Sequence, residues 1–555
     1  MITPLTVSLV EYVVDTSNAV NILASGLKRD RRGRPFNTQL LRTLLIGWLL
    51  TNQEYATMRI EHVHRVLTRR LDTDTQRRLG VLIERDGVEH TISRTPLDAM
   101  VRRLDQGLGY GTGTHPDLDD DERQRRYDVM NTFSDAMLDV FNDGFTSTHY
   151  AIDASGIWTW GKSRRRRPNI DELDDNGDIN PDAHIDETDP DAKWGAKTSK
   201  DGRTESVFGY HLHAMVRVPG RTRHGHHQQR DTEPRLVHRL GITPANADVV
   251  DVSLSMIDRL DNTLTSDRPA HITDLIVDSH YHYKQTGRWL KELHRRGVKQ
   301  HLHLRADEVK FITYNQMKFL GGDGHCPATP AHFEHIVPLP PDPSLKQIDE
   351  FQRLNEERKQ FAMVRHTSID DTGKVRLKCP ALAGEIGCPL RPGTVQAATQ
   401  KGQPVLAAND VPSVDVPACC TQNTVEITLP EPILKSVQPF FWGSRQWQEQ
   451  YNKRTYVESL FGNIKNQATE NVGRGMHRHV GIMMNHLHLT LAATNFNLRT
   501  LRKWHQTTGK GNPTNPLLAD ITTQITITPS AKRGPRQPRW AGCPTAGPRG
   551  RSGTI

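Results

Sequence analysis

The chain has 555 residues and carries 72 Lys and Arg against 64 Asp and Glu, a formal net charge of +8. Its length allows roughly two to four domains with full cores. A hydrophobic content of 35% and a mean hydropathy of −0.62, with no apolar run longer than Leu44 to Leu50, exclude a membrane-spanning helix of the usual roughly 20 residues. The basic balance favours a polyanionic partner such as nucleic acid without specifying one. The N-terminus has no basic region before its apolar stretch and carries Glu11 and Asp15. It does not read as a signal peptide, and a cytoplasmic location is expected by default.

Residues 1–145 read as a helical domain. Leu40, Leu41, Leu44, Leu45, Trp48 and Leu49 recur at helical spacing, and Arg59, Arg65, Arg69 and Arg70 follow on a second helical stretch. Two readings stand: a DNA-gripping unit, or a bundle packed on the core that follows. The run His-Tyr-Ala-Ile-Asp153-Ala-Ser-Gly predicts a short strand with an acid at its end and small residues that let a metal or backbone approach. Residues 162–205 separate their charge into Lys162 with the Arg164 to Arg167 run, then an acidic stretch over 171–191 that includes Asp174 and Asp175. Such blocks rarely bury a core, so a solvated insertion is expected, its arginines a candidate DNA contact.

The segment 207–218 has the aromatic and β-branched content of sheet, whereas His224, His226 and His227 lie among Arg and Gln in what reads as an exposed turn. A second apolar run ends in Asp-Leu-Ile-Val-Asp278-Ser-His-Tyr, followed by an amphipathic pattern over 285–296 and a strand pattern over 298–304. His280 and His282, beside Asp278, read as structural before catalytic. Residues 307–439 exceed what one sheet connection needs and read as an inserted domain, with strands over 374–377 and 424–429. Five of the six cysteines lie there: Cys326, Cys379, Cys388, Cys419 and Cys420. In a cytosolic chain this clustering suggests zinc before disulfide, with Cys326, Cys379, Cys388 and Cys419 or Cys420 as candidate ligands. No Cys-x2-Cys pair is present, so free buried thiols compete with that reading.

The segment QEQYNKRTYVESLFGNIKNQ carries Tyr451, Arg454, Glu458 and Lys465 at spacings of three, four and seven. At about 100° per helical residue these side chains share a stripe roughly 60° wide, one acid among two cations and a phenol. The grouping suits phosphate chemistry, because a carboxylate can hold a divalent metal while Arg and Lys hold a phosphodiester. A solvated face laced by an Arg454/Glu458 pair is the plainer alternative. Trp442 and Trp447 just upstream read as core packing. A long helix is expected over 477–504, and residues 506–555 read as a basic, disordered Pro/Gly-rich tail with nonspecific affinity for DNA.

Tyr-x2-Arg-x3-Glu-x6-Lys is also the signature of a large group of DDE-type bacterial insertion-sequence transposases, which this chain resembles. Two further matches are Asp278 followed three residues later by Tyr281, and the Gly-Tyr-x-x-His pattern of Gly209, Tyr210 and His213. The resemblance implies an α/β fold with an RNase H-like core formed by residues 146–306 and 440–505, interrupted by a β-containing insertion. It implies Asp153, Asp278 and Glu458 as the catalytic, metal-holding acids, with Arg454 and Lys465 on the DNA backbone and Tyr451 positioning or stacking against DNA. The cofactor would be a pair of Mg²⁺ or Mn²⁺ ions about 4 Å apart. The implied activity is cleavage at the ends of a mobile element and strand transfer into target DNA. Double-stranded DNA would be the partner, a homodimer the synaptic form, and the bacterial nucleoid the location. A catalytically idle DNA-binding relative and a metal-dependent nuclease without strand transfer are the alternatives.

Overall fold

A computed structural model of the chain describes residues 1–27, 36–142, 144–161, 163, 188–198, 204–220, 233–263, 272–283, 287–334, 336–337, 339–340, 343–370 and 372–519. The Arg164 to Arg167 run, Lys162, Asp174, Asp175, the histidines at 224, 226 and 227, and the tail beyond 519 lie outside the described residues.

The N-terminal leucine periodicity folds as helices α1 (Pro4–Thr16), α2 (Ala19–Gly26), α3 (Thr38–Tyr55), α4 (Ile60–Arg69), α5 (Thr73–Arg78), α6 (Thr95–Leu108) and α7 (Asp120–Asp139). Polar side chains start several of them. Thr3, Asn37, Asp72 and Asp119 each accept a hydrogen bond from the backbone N–H three residues on, satisfying a donor that the first turn leaves free. Between α5 and α6 a hairpin joins β1 (Leu82–Arg85) to β2 (Val88–Thr91). Asp86 and Gly87 form its two-residue turn with φ of 52° and 75°, the positive values a tight hairpin requires. Helix α3 is buried along most of its length against α1, α4 and the C-terminal helix.

The central sheet contains β3 (His149–Trp158), β4 (Lys193–Thr198), β5 (Thr204–Val218), β6 (Val237–Pro244), β7 (Asp274–Ile276) and β8 (Lys299–His301). Its order is β4-β5-β3-β7-β8, with β6 also on β5. The 15-residue β5 carries two neighbours along its length, β4 against residues 204–209 and β6 against 210–216. β3 runs antiparallel to β5 and parallel to β7, and β7 is parallel to β8. Parallel neighbours need crossovers, supplied by α8 (Val249–Thr263) before β7 and α9 (Leu290–Arg295) before β8. The protein is thus mixed α/β.

Alternation along β3 divides the core. Ala151 and Ile157 join a cluster that extends from Ile2 to Leu518, while Tyr150 and Ile152 join one with Met256, Leu293 and Trp442. Two expectations are adjusted here. The strand at Asp153 runs five residues past the acid, because Ala154 to Trp158 continue the ladder with β5. Of the helix expected over 285–296, residues 285 and 286 lie outside the described residues, and among 287–296 the helix is confined to α9; a 3-10 turn (Ser279–Tyr283) lies upstream.

The insertion builds two small sheets. One is a meander of β9 (Ile312–Tyr314), β10 (Met317–Leu320) and β11 (Asp323–His325). The other joins β12 (Val364–Arg365), β13 (Lys374–Lys378) and β14 (Val425–Thr428). The strands expected over 374–377 and 424–429 are β13 and β14, paired antiparallel. Short helices α10 (Leu345–Lys359), α11 (Pro380–Ala383), α12 (Pro392–Lys401), α13 (Ala418–Thr421) and α14 (Glu431–Leu434) fill the remainder. The chain then returns through α15 (Arg445–Tyr451), α16 (Thr455–Ile464) and α17 (Ile482–Thr508). Trp442 and Trp447 are buried, and Trp447 Nε1 donates to Leu302 O at 3.2 Å, which ties the two ends of the insertion together. Among the described residues no helix is long and apolar enough to cross a membrane.

The acidic stretch over 171–191 does not end as a solvated loop. Asp189 and Asp191 are buried. Asp191 Oδ1 accepts from Gly113 N at 2.8 Å and Thr114 N at 2.9 Å, and its Oδ2 accepts from Thr114 Oγ1 at 2.7 Å and Ile482 N at 3.0 Å. Asp189 accepts from Thr159 Oγ1, from the Tyr210 hydroxyl at 2.8 Å and from Gly481 N at 3.0 Å. The two acids therefore cap α17 and fasten it to the loop after α6. A buried carboxylate is tolerable when backbone donors surround it, which is the condition met here.

Candidate active site

β3 and β7 lie side by side and parallel, with Ala151 opposite Ile276. Two residues further along each chain stand Asp153 and Asp278, so the register brings together acids 125 positions apart in sequence. Local bonds hold one oxygen of each. Asp153 Oδ1 accepts from Ala154 N at 2.8 Å, and Asp278 Oδ1 accepts from Ser279 Oγ at 3.0 Å and His280 N at 3.3 Å. The other oxygens meet one guanidinium: Arg454 Nη2 lies 3.1 Å from Asp153 Oδ2 and 3.3 Å from Asp278 Oδ2. Arg454 Nη1 lies 2.8 Å from Glu458 Oε1. Side-chain exposure rises from 14% at Asp153 through 29% at Asp278 to 47% at Glu458, so the group is closed at the sheet and open at the helix.

Three carboxylates this close would repel one another without a cation. Arg454 supplies it. Burial alone would lower its pKa, but Asp153, Tyr451, Asp278 and Glu458 outweigh that and hold it above its ordinary value. The stripe from Tyr451 to Lys465 is not one continuous α-helix. A 3-10 turn (Asn452–Arg454) separates α15 from α16, and Lys453 Nζ pins it by donating to Pro219 O at 2.9 Å, Gly220 O at 2.7 Å and Gln450 Oε1 at 2.7 Å.

Tyr451, expected to position or stack against DNA, is turned inward. Its ring stacks on Trp447 with centroids 5.3 Å apart and meets the His303 ring at 5.6 Å. Burial pushes its hydroxyl up to about 12 against the opposing pull of Arg454, to which it hydrogen-bonds. Tyr451 is half-buried, with one face covered by Trp447 and its hydroxyl beside Arg454. Lys465 Nζ reaches from the end of α16 to Ser155 Oγ at 2.7 Å and Gly156 O at 2.8 Å, next to Asp153 on β3.

The remaining motif residues form the scaffold. A Cβ at Gly209 would come within 2.1 Å of Ile157 O, so only glycine fits where β5 crosses β3. Tyr210 holds Asp189. His213 bonds Thr243 Oγ1 at 2.9 Å, and burial lowers its pKa to about 3, which keeps it neutral. Tyr281 shares a 2.7 Å hydrogen bond with Ser253 Oγ and packs 4.6 Å from the Trp289 ring.

One feature of the surface was not anticipated. Trp158, Trp160 and Trp194 are exposed, on β3, just beyond it and on β4. Trp158 and Trp194 meet edge to face at 6.2 Å, and the Arg59 and Arg478 guanidiniums lie 5.8 and 5.3 Å from the Trp160 ring. Three exposed tryptophans beside arginines suit a nucleic-acid strand. The sequence signal was the Trp-x-Trp pair following the Asp153 strand.

Carboxylate oxygens are hard donors suited to Mg²⁺ or Mn²⁺. Among the described residues no three such groups already stand as a metal cage; the acids converge on Arg454 instead. No family model, curated protein or solved structure matches the chain, so its functional reading rests on the arrangement of its own residues and the sequence resemblance.

Proposed function

We propose that the chain is a DDE-type transposase that cuts DNA at the ends of a mobile element and joins them to target DNA. The observation that carries the reading is the convergence of Asp153, Asp278 and Glu458 on Arg454, with Lys465 bonded two and three residues beyond Asp153. An RNase H-like core is supported by a mixed sheet with one acid on β3, a second two residues past the end of its parallel neighbour β7, and a third on a helix that packs on β3 and β5.

In this mechanism Asp153 and Asp278, fixed by their local bonds, would be the inner ligands, and exposed Glu458 would be the acid that moves most easily. A pair of divalent ions, when bound, would activate the attacking water or 3′-hydroxyl and stabilise the leaving oxygen. Arg454, released from its carboxylates, would turn to the scissile phosphate. Lys465 would add positive charge beside the strand, and the exposed tryptophans with Arg59 and Arg478 would hold DNA further along β3.

The test is cleavage of a plasmid carrying the gene's own flanking DNA, with Mg²⁺ or Mn²⁺. Wild type should cut at the element ends and join them to a target, and Asp153→Asn, Asp278→Asn and Glu458→Gln should bind those ends without cutting them. Binding with no metal-dependent cleavage by wild type would select the idle DNA-binding reading. Cleavage that never yields joined product would select a nuclease.

A further inference from the structure

The insertion carries thiols that the proposed chemistry does not use. Cys326, Cys379 and Cys388 pack in one apolar cluster with Phe333, Phe361 and Ile386. Cys419 and Cys420 lie in the adjoining cluster, and Leu390 packs against both. All five cysteines are buried and none forms a disulfide.

Three of them share one local design. Cys326, Cys379 and Cys388 each precede a proline. Each opens a tight turn closed on its own carbonyl: Thr329 N to Cys326 O at 2.9 Å, Ala383 N to Cys379 O at 3.0 Å, and Arg391 N to Cys388 O at 2.9 Å. Within the turns, backbone N–H groups face the sulfurs: Ala328 at Cys326, Ala381 and Leu382 at Cys379, and Leu390 and Arg391 at Cys388. Amide donors aimed at a sulfur are the outer contacts that orient a metal-bound one. Simple packing of a small apolar side chain has no use for them, and here the design occurs three times.

The sulfurs also share a neighbourhood. The cluster that holds Cys326, Cys379 and Cys388 adjoins the one that holds Cys419 and Cys420 through Leu390. Cys419 hydrogen-bonds Cys420, which also feels the positive charge of Arg391.

We propose that Cys326, Cys379, Cys388 and Cys420 bind one zinc ion in a structural tetrathiolate site that ties three separate stretches of the insertion together. Each ligand releases its thiol proton to solvent as its bond to zinc forms. Cys419 is the hydrogen-bonding neighbour of Cys420 and not a ligand. Among the described residues no group already stands at metal-holding spacing, so zinc closes the cluster rather than entering a finished cage. The gain is structural. The insertion has two three-stranded sheets of short strands, and small units of that kind depend on staples.

The experiment is zinc content by mass spectrometry of full-length protein purified without chelator, alongside the absorption spectrum after cobalt exchange. One zinc per chain, with the thiolate-to-cobalt band and the strong visible absorption of a tetrahedral site, is expected. Cys326→Ser, Cys379→Ser, Cys388→Ser and Cys420→Ser should each lose the metal, while Cys419→Ser and Cys543→Ser should retain it. Alkylation of the unmutated protein guards against variants that misfold: four cysteines should be protected until a chelator is added. Zinc near zero in the wild type, retention in Cys388→Ser, or alkylation indifferent to chelator would overturn the proposal. None of these readouts depends on DNA cleavage.

Discussion

Replacing Asp191 by Ala removes the carboxylate that joins α17 to the loop after α6. The side chain is 3% exposed and accepts from three backbone N–H groups, those of Gly113, Thr114 and Ile482, and from the Thr114 hydroxyl. The hydroxyl can rotate to another acceptor; the amides cannot. Each buried donor left without a partner costs about 1–3 kcal/mol, and water entering the space returns part of it, so a loss of about 4 kcal/mol is expected. The control is Asp98→Ala, whose carboxylate pairs with Arg94 at i,i+4 on the surface; it should cost about 0.5 kcal/mol. Thermal unfolding followed by tryptophan fluorescence separates them, with a drop on the order of 5 °C or more for Asp191→Ala. Gly111→Ala tests the same place from the other side, since its Cβ would fall 1.8 Å from Asp191 Oδ2. If Asp191→Ala melted with the Asp98→Ala control, the account of α17 anchoring would be wrong.

Other expectations concern the site and its surroundings. Arg454→Gln should bind Mn²⁺ at least about tenfold more tightly while losing DNA cleavage. A unit positive charge about 4 Å from a dication repels it by several kcal/mol at an effective dielectric near 20. Free Mn²⁺ measured by electron paramagnetic resonance decides this, and weaker binding would mean that Arg454 organises the acids rather than competing for them. Burial lowers the pKa of His213, His238, His477 and His486 to about 3, whereas in the unfolded chain they titrate near about 6.5. The unfolded state therefore binds more protons between those values. Their contribution is complete above about pH 6.5 and is lost as pH falls toward about 3. Urea midpoints should drop steadily between about pH 7 and about pH 4.5, and a flat profile would show that these rings are protonated in the folded protein. Trp158→Ala should weaken binding of a fluorescent DNA duplex by about 1 kcal/mol without changing its metal dependence. Unchanged anisotropy titrations would remove the exposed tryptophans from the interface.

Local pattern was the legible part. The acids at 153 and 278 ended apolar runs, and the 451–465 stripe put Arg454 and Glu458 one turn apart, where they pair. β13 and β14 fell where branched residues cluster. What sequence did not disclose was pairing at a distance. Asp189 and Asp191 sat at the end of an acidic stretch and read as solvated, because their partners are backbone amides at 113, 114, 481 and 482, which have no side-chain signature. Tyr451 looked like part of a polar stripe because periodicity assumes one uninterrupted helix. The 3-10 turn at 452–454 breaks that geometry, and Trp447 with His303 makes the inner position apolar. β3 outran its acid because β5 offers a long ladder, a property of the partner rather than of the 153 segment.

Arg454 has a consequence for timing. On the proposed reading, a chain that brings its own cation to its acids can be synthesised, folded and seated on DNA before any divalent ion arrives. Assembly and cutting then become separate events under separate control, the first set by protein and DNA concentration and the second by metal supply. On that same reading the order would give a DNA-cutting chain a safety interval, held by one side chain.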